Sequence, residues 1–176
     1  GRAWLTASEE KWDVIMVDAY QDITIPFQMS SVEFFTEVRE HLAPGGVMVV
    51  NMSMRSESEG SMNEYLMDTI QSVFPCCAAV RVANGTNMEL FASAVPEAFE
   101  RFEAALQALP EGDFRDIMER VDGDMFAVEG GEYILTDDKA PVELLGMAVL
   151  DEIIGSELEG LRERIAAEGI MSLLGE

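Results

Sequence analysis

Histidine is almost absent from this chain of 176 residues: His41 is the only one. A zinc site built on several imidazoles is excluded, and a triad that needs one would have to use this residue. His41 falls at the C-terminal end of an expected helix, where the dipole favours a cation, and reads as a surface residue. Cysteine is nearly as scarce. Cys76 and Cys77 stand side by side, with no C-x-x-C spacing. Adjacent cysteines rarely bridge each other, so they read as reduced thiols at the start of a strand, with no metal or redox role. Basic residues number 11 against 34 acids, for a formal net charge of -23. Phosphate binding needs a basic patch, so nucleic acid is not an expected partner. Long hydrophobic runs are missing too, and no apolar stretch nears the ~20 residues of a membrane span. The opening Gly1-Arg2-Ala3-Trp4-Leu5 runs into Ser8-Glu9-Glu10-Lys11 without a signal-peptide pattern. The expectation is a soluble, cytoplasmic chain.

What is present describes a globular α/β domain. Apolar residues make up 48% of the sequence, enough for one domain with a core. The acids sit on the expected outer faces of helices, as at Glu97, Glu100, Glu103, Glu157, Glu159 and Glu163. They read as a solvated surface, compatible with a small cationic ligand but not diagnostic of one. The 12 methionines read as core filler.

The segment from Trp12 to Asp22 is the most informative. Val14-Ile15-Met16-Val17 is unbroken and stops at Asp18. Such a run predicts a strand buried on both faces, as in a parallel sheet. In open α/β sheets ligands bind beyond the carboxyl ends of strands, so Asp18 stands where chemistry is done, with Tyr20, Gln21 and Asp22 in the loop behind it.

A short helix over residues 3–10 precedes this strand. Ser30-Ser31-Val32-Glu33 forms a capping box for the helix that follows it, which carries Phe34, Phe35, Val38 and Leu42 inward. Pro44-Gly45-Gly46 ends that helix and turns the chain into Val47-Met48-Val49-Val50, which finishes at Asn51. Ser61-Met62-Asn63-Glu64 caps a third helix with Leu66, Ile70, Val73 and Phe74 inward. Strands at about 77–83 and 88–95, joined through Asn84-Gly85, form an antiparallel edge hairpin. Helices follow over 97–109 and 113–121. The tail is helical from about Pro141 and again from about Ser156. The predicted organisation is a domain over 1–150 and a helical tail over 151–176. Asp18 and Asn51 are expected to end adjacent parallel strands joined by one right-handed crossover.

Several of these segments together carry a resemblance. Trp12 to Tyr20, Ile25-Pro26, Phe34-Phe35, Leu42-Ala43-Pro44-Gly45-Gly46-Val47, Asn51, and Leu135-Thr136-Asp137-Asp138-Lys139-Ala140-Pro141-Val142-Glu143 resemble the spermidine synthase (polyamine aminopropyltransferase) family, in a bacterial spermidine synthase-like branch. No single motif is diagnostic; their order and spacing over residues 1 to about 145 are together fairly specific. The resemblance implies the C-terminal part of a methyltransferase-like, Rossmann-type doubly wound sheet. It also implies transfer of an aminopropyl group from decarboxylated S-adenosylmethionine to a polyamine-type amine. Asp18 then matches the acid that helps deprotonate the attacking amine, because an ammonium is no nucleophile.

Substrate contacts are implied for Tyr20, Gln21, Asp22, Asn51, Asp137 and Asp138. Tyr20 reads equally as a packing aromatic, and Asp137-Asp138 equally as an N-cap pair for the helix near Pro141. The family's second acid, three residues after the first, is Gln21 here. An amide accepts a hydrogen bond but does not neutralise an amine. The family's glycine-rich loop and ribose-binding acid have no counterpart, since no G-x-G-x-x-G follows a strand. This stretch alone is expected to bind neither S-adenosylmethionine nor its decarboxylated form and to be inactive. Two other readings stand beside it: a degenerate, non-catalytic relative used for dimerisation or regulation, and a methyltransferase-like enzyme using S-adenosylmethionine. The strand at 13–18 is expected to be central in the family's sheet. Without its neighbours it becomes an unprotected edge, to be covered by a second copy or by an upstream segment.

Overall fold

A computed structural model of the chain describes residues 1–19, 25–53, 59–82 and 87–168. Helix α1 (Arg2–Ala7) leads into strand β1 (Trp12–Val17), and a 3-10 turn at Phe27–Met29 precedes α2 (Val32–His41) and β2 (Leu42–Ser53). Then come α3 (Met62–Val73), the strands β3 (Cys76–Arg81) and β4 (Asn87–Ser93), helices α4 (Ala98–Ala108) and α5 (Asp113–Asp124), β5 (Met125–Ala127) and α6 (Val142–Glu168). The five strands form one mixed sheet in the order β1-β2-β4-β3-β5. This is an α/β arrangement, as expected: β1 and β2 are parallel, linked through α2, and β4 runs antiparallel to both of its neighbours. The hairpin β3–β4 is antiparallel as predicted, but β4 is inserted beside β2 and β5 takes the outer edge. The turn residues 84 and 85 lie outside the described residues.

Helices α2 and α3 start at serines whose side chains cap them. Ser31, not Ser30, is the N-cap of α2 and accepts from the Phe34 amide, so the cap falls one residue later than the box predicted. Ser61 caps α3 as expected, accepting from the Glu64 amide, while the Glu64 carboxylate reaches back to the Gly60 amide. Helix α2 ends at His41, before Pro44-Gly45-Gly46, which lies within the residues assigned to β2. There the β1–β2 register slips between Trp12 and Val14. Gly45 has φ 85, and a Cβ on Gly46 would stand 2.9 Å from the Trp12 carbonyl oxygen, so the slip requires both glycines. A single helix, α6, covers 142–168 where two were expected, and residue 150 falls inside it.

One face of the sheet holds the core. Val17, Met48, Val50, Met52, Ala79 and Leu90 meet Phe35, Val38, Leu66 and Ile70 of α2 and α3, with Leu135 and Val142. Truncating any of the large side chains here to alanine costs roughly 2–5 kcal/mol. Leu135 is held from both sides: its amide donates to Thr69 Oγ1 at 2.9 Å and its carbonyl accepts from the Val32 amide at 2.9 Å.

The opposite face is covered unevenly. Helices α4 and α5 bring Phe99, Phe102, Met118 and Val121 over Cys76, Ala78 and Phe91. No described element covers β1 there, and Val14 and Met16 are 55% and 72% exposed. The expectation of a strand buried on both faces is therefore wrong for β1. Among the described residues it pairs with β2 alone, and it is buried on the α2–α3 side, where Val17 points. Among the described residues no helix is long and apolar enough to cross a membrane.

Candidate functional site

Asp18 leaves β1 directly beyond Val17, which is paired with Val50 of β2. That register puts Asn51 beside it. The Asn51 side-chain Nδ2 donates to Asp18 Oδ1 at 3.0 Å. The same amide is held from its other end, where Asn51 Oδ1 accepts from Nδ2 of Asn87, the first residue of β4, at 2.9 Å. A donor on the carbonyl end leaves the Asn51 amine end pointing at Asp18. Asn51 is not the last residue of its strand, since β2 continues to Ser53.

Glu89 completes the group. It is the register partner of Asn51 across the β2–β4 ladder, and partners in a ladder project from the same face. Its carboxyl is half-buried, and burial, followed by the Asp18 carboxylate, pushes its pKa above the usual range. Three adjacent strands therefore contribute Asp18, Asn51, Asn87 and Glu89 to one end of the open face. Further along the same face lie Val49 and Phe91, then Val47 and Ser93, in register.

The other expected site residues are placed differently. Tyr20, Gln21 and Asp22 lie outside the described residues. Asp137 is committed elsewhere. Its carboxylate takes two hydrogen bonds from the Arg2 guanidinium, at 2.7 and 2.9 Å, and one from the Ser31 hydroxyl. Its amide donates to Glu33 Oε2 at 2.9 Å. Arg2, with Ser31 second, holds the Asp137 carboxyl below its ordinary range. Arg2 also bonds Glu37, so this group ties α1, α2 and the 136–139 turn together. Asp138 is exposed in that turn, and neither acid adjoins α6, which begins at Val142 after Pro141. The N-cap reading of the pair is corrected on that ground.

His41 is more than a surface residue. Its ring stacks on Trp12 at 5.9 Å, and its nitrogens face the carbonyl oxygens of Glu37 and Ser8 at 2.7 and 3.1 Å. Cys76 and Cys77 are buried free thiols at the start of β3, and burial pushes Cys77 up to about 12. Among the described residues no group of His, Cys, Asp and Glu could hold a metal ion.

Asn87, Glu89 and Arg2 were missed by the sequence reading. Glu89 left one signal, an acid inside the strand-forming run Met88-Glu89-Leu90-Phe91.

Comparison with known proteins gives a relationship. The chain is 50% identical over 191 aligned residues, covering 99% of its length, to a probable polyamine aminopropyl transferase of Bifidobacterium longum. It spans 43% of that protein's length. No family model matches the chain. Among solved structures, human methyltransferase-like protein 13 in complex with SAH is similar at TM-score 0.47 and 22% identity, covering 63% of this chain and 57% of that one. A probable spermidine synthase from Corynebacterium glutamicum is similar at TM-score 0.45 and 21% identity, covering 76% and 54%.

Proposed function

The chain is a relative of the polyamine aminopropyl transferases, and from that premise we propose that it supplies the amine-binding part of a spermidine synthase-like aminopropyltransferase. The observation that carries this reading is the Asp18–Asn51 hydrogen bond at the carboxyl end of β1. Ligands of open α/β sheets bind at such ends. Asp18 is exposed there, and Asn51 occupies only part of one of its two carboxylate oxygens. The remaining lone pairs can hold an ammonium and then receive its proton, which frees the nitrogen lone pair for attack. Tyr20, Gln21 and Asp22, next along the chain, belong to the same proposed site, whereas Asp137 serves as a structural anchor.

The aminopropyl donor, decarboxylated S-adenosylmethionine, would supply a methylene activated by a sulfonium. The described residues do not fit its adenosine end: no described strand runs into a glycine-rich turn, and Gly45 and Gly60 sit at the starts of β2 and α3. The contribution of this chain is to bind, orient and deprotonate the amine. Two buried, unbridged cysteines agree with a cytoplasmic setting.

The exposed edge belongs to the same proposal. Val14 and Met16 form an apolar patch on a strand that has one side unpaired among the described residues. In the working protein a second copy or an upstream segment covers it.

The test is product identity. The full-length gene product is incubated with 1,4-diaminobutane and either decarboxylated S-adenosylmethionine or S-adenosylmethionine, and the products are weighed by mass spectrometry. The aminopropylated amine together with methylthioadenosine is expected. A methylated amine with S-adenosylhomocysteine would install the methyltransferase reading instead, and no product from either donor would favour the non-catalytic one.

A further inference from the structure

We propose that Glu89 is the specificity-determining residue that makes this site select a diamine over a monoamine, binding the second ammonium while Asp18 holds the reacting one. The inference rests on the amine-binding reading given above and deepens it.

The need for such a residue follows from the sequence. A diamine carries two ammonium groups at neutral pH, and a site that prefers it must meet both with acceptors. The position where the spermidine synthase family carries its second acid is Gln21, an amide that accepts a hydrogen bond but does not neutralise an ammonium, and Asp22 follows one residue later. The sheet supplies a carboxylate from another strand. Glu89 is in register with Asn51, and Asn51 is bonded to Asp18, so the three side chains stand in one row across β4, β2 and β1. Neighbouring strands are about 4.8 Å apart, which places the backbones of Asp18 and Glu89 on the order of 10 Å from each other. The side chains shorten that span. An extended four-carbon diamine measures about 6 Å between nitrogens by standard bond lengths, and it fits between two carboxylates with Asn51 beneath its middle.

Glu89 is also free for this task. No hydrogen bond or ion pair joins it to another described residue, in contrast to Asp137, which has Arg2 and Ser31. A half-buried carboxylate facing another acid, with no ion pair among the described residues, is costly before a ligand binds. A second ammonium there would remove that cost. The methylene chain between the nitrogens would cross Asn51, bordered on one side by Val49 and Phe91, the next residues on the same face. The carboxylates determine which amine binds, and the apolar strip accommodates its carbons.

The experiment compares two ligands of equal length on the full-length gene product, with methylthioadenosine present: 1,4-diaminobutane and n-pentylamine, which replaces one ammonium by a methyl group. Calorimetry gives their affinities for wild type, Glu89→Gln and Asp18→Asn. We expect wild type to prefer the diamine by at least tenfold. Glu89→Gln should erase that preference by weakening the diamine alone, while pentylamine affinity is retained and serves as the control for an intact site. Asp18→Asn should weaken both. A wild type that binds the two amines equally, or a Glu89→Gln variant that keeps the preference, overturns the proposal while leaving the amine site standing. Failure of wild type to bind either amine overturns the amine reading itself.

Discussion

Asn51 holds Asp18 by a hydrogen bond of 3.0 Å across two neighbouring parallel strands, and Asn87 fixes which end of the Asn51 amide does so. The chain Asn87–Asn51–Asp18 thus sets the direction of the carboxylate before any ligand arrives. Asn51→Ala should lower kcat/KM for the amine roughly tenfold or more, the worth of a hydrogen bond to a charged group at about 1.5–3 kcal/mol. Asn87→Asp is the sharper test. A carboxylate only accepts, so it would take the Asn51 amine end and turn a carbonyl oxygen toward Asp18. Its activity should fall below that of Asn87→Ala in steady-state assays of the full-length gene product. Equal activity in the two Asn87 variants would show that the orientation of Asn51 is irrelevant.

The end of β1 was legible in the sequence because an apolar run stopping at Asp18 is a local pattern; the run reaching Asn51 marked β2 but not its end, which is Ser53. The cap at Ser61 and the core faces of α2 and α3 were legible for the same reason, and the α2 cap was legible to within one residue. Glu89 and Asn87 were not. Their place depends on β4 inserting beside β2, a long-range pairing that no window of residues encodes. The burial of β1 was misread because periodicity reports that a strand is apolar, not whether anything covers it. Asp137 was misread because its partner, Arg2, lies 135 residues away.

Glu89 should cost the protein stability in the absence of ligand. Its folded-state pKa is raised above the ordinary 4.5, first by burial and then by Asp18. A carboxyl raised in the fold binds its proton more tightly when folded, so the cost is absent below the unfolded value and complete above the folded one. Glu89→Gln should therefore raise the Tm at pH 7. The gain should shrink as pH falls and vanish near pH 4. Melting curves across that range check it, and a variant less stable than wild type at pH 7 would contradict the assignment.

Asp137 has the opposite sign. Arg2 holds its carboxyl below the ordinary 3.8, so the stability it contributes is present above that value and is lost as pH falls through the lowered one. Asp137→Asn should destabilise the fold at pH 7 by about 1 kcal/mol, since the pair is partly exposed. The difference from wild type should shrink as pH falls below 3.8 and close only below the lowered folded-state value, where both states are protonated. Denaturant titrations at neutral and at falling pH give the comparison. If Asp137 belonged to the amine site instead, the variant would lose amine affinity with its stability unchanged.

The bare edge of β1 predicts association of the 176-residue chain on its own. Light scattering should show oligomers whose population rises with concentration. Met16→Lys, on the exposed face, should shift them toward monomer. A stable monomer at high concentration in the unaltered chain would contradict the proposal that this edge is covered in the working protein.

The central claim is that Asp18 takes the proton of an amine that then accepts an aminopropyl group, and replacing its carboxylate with an isosteric amide tests it most directly. In the full-length gene product, with decarboxylated S-adenosylmethionine and 1,4-diaminobutane, Asp18→Asn should reduce kcat by roughly 100-fold or more, the usual contribution of a positioned general base. The loss should be largest near neutral pH and smaller at alkaline pH, where free amine exists without a base. Transfer by Asp18→Asn at the wild-type rate and with the wild-type pH profile would contradict the account.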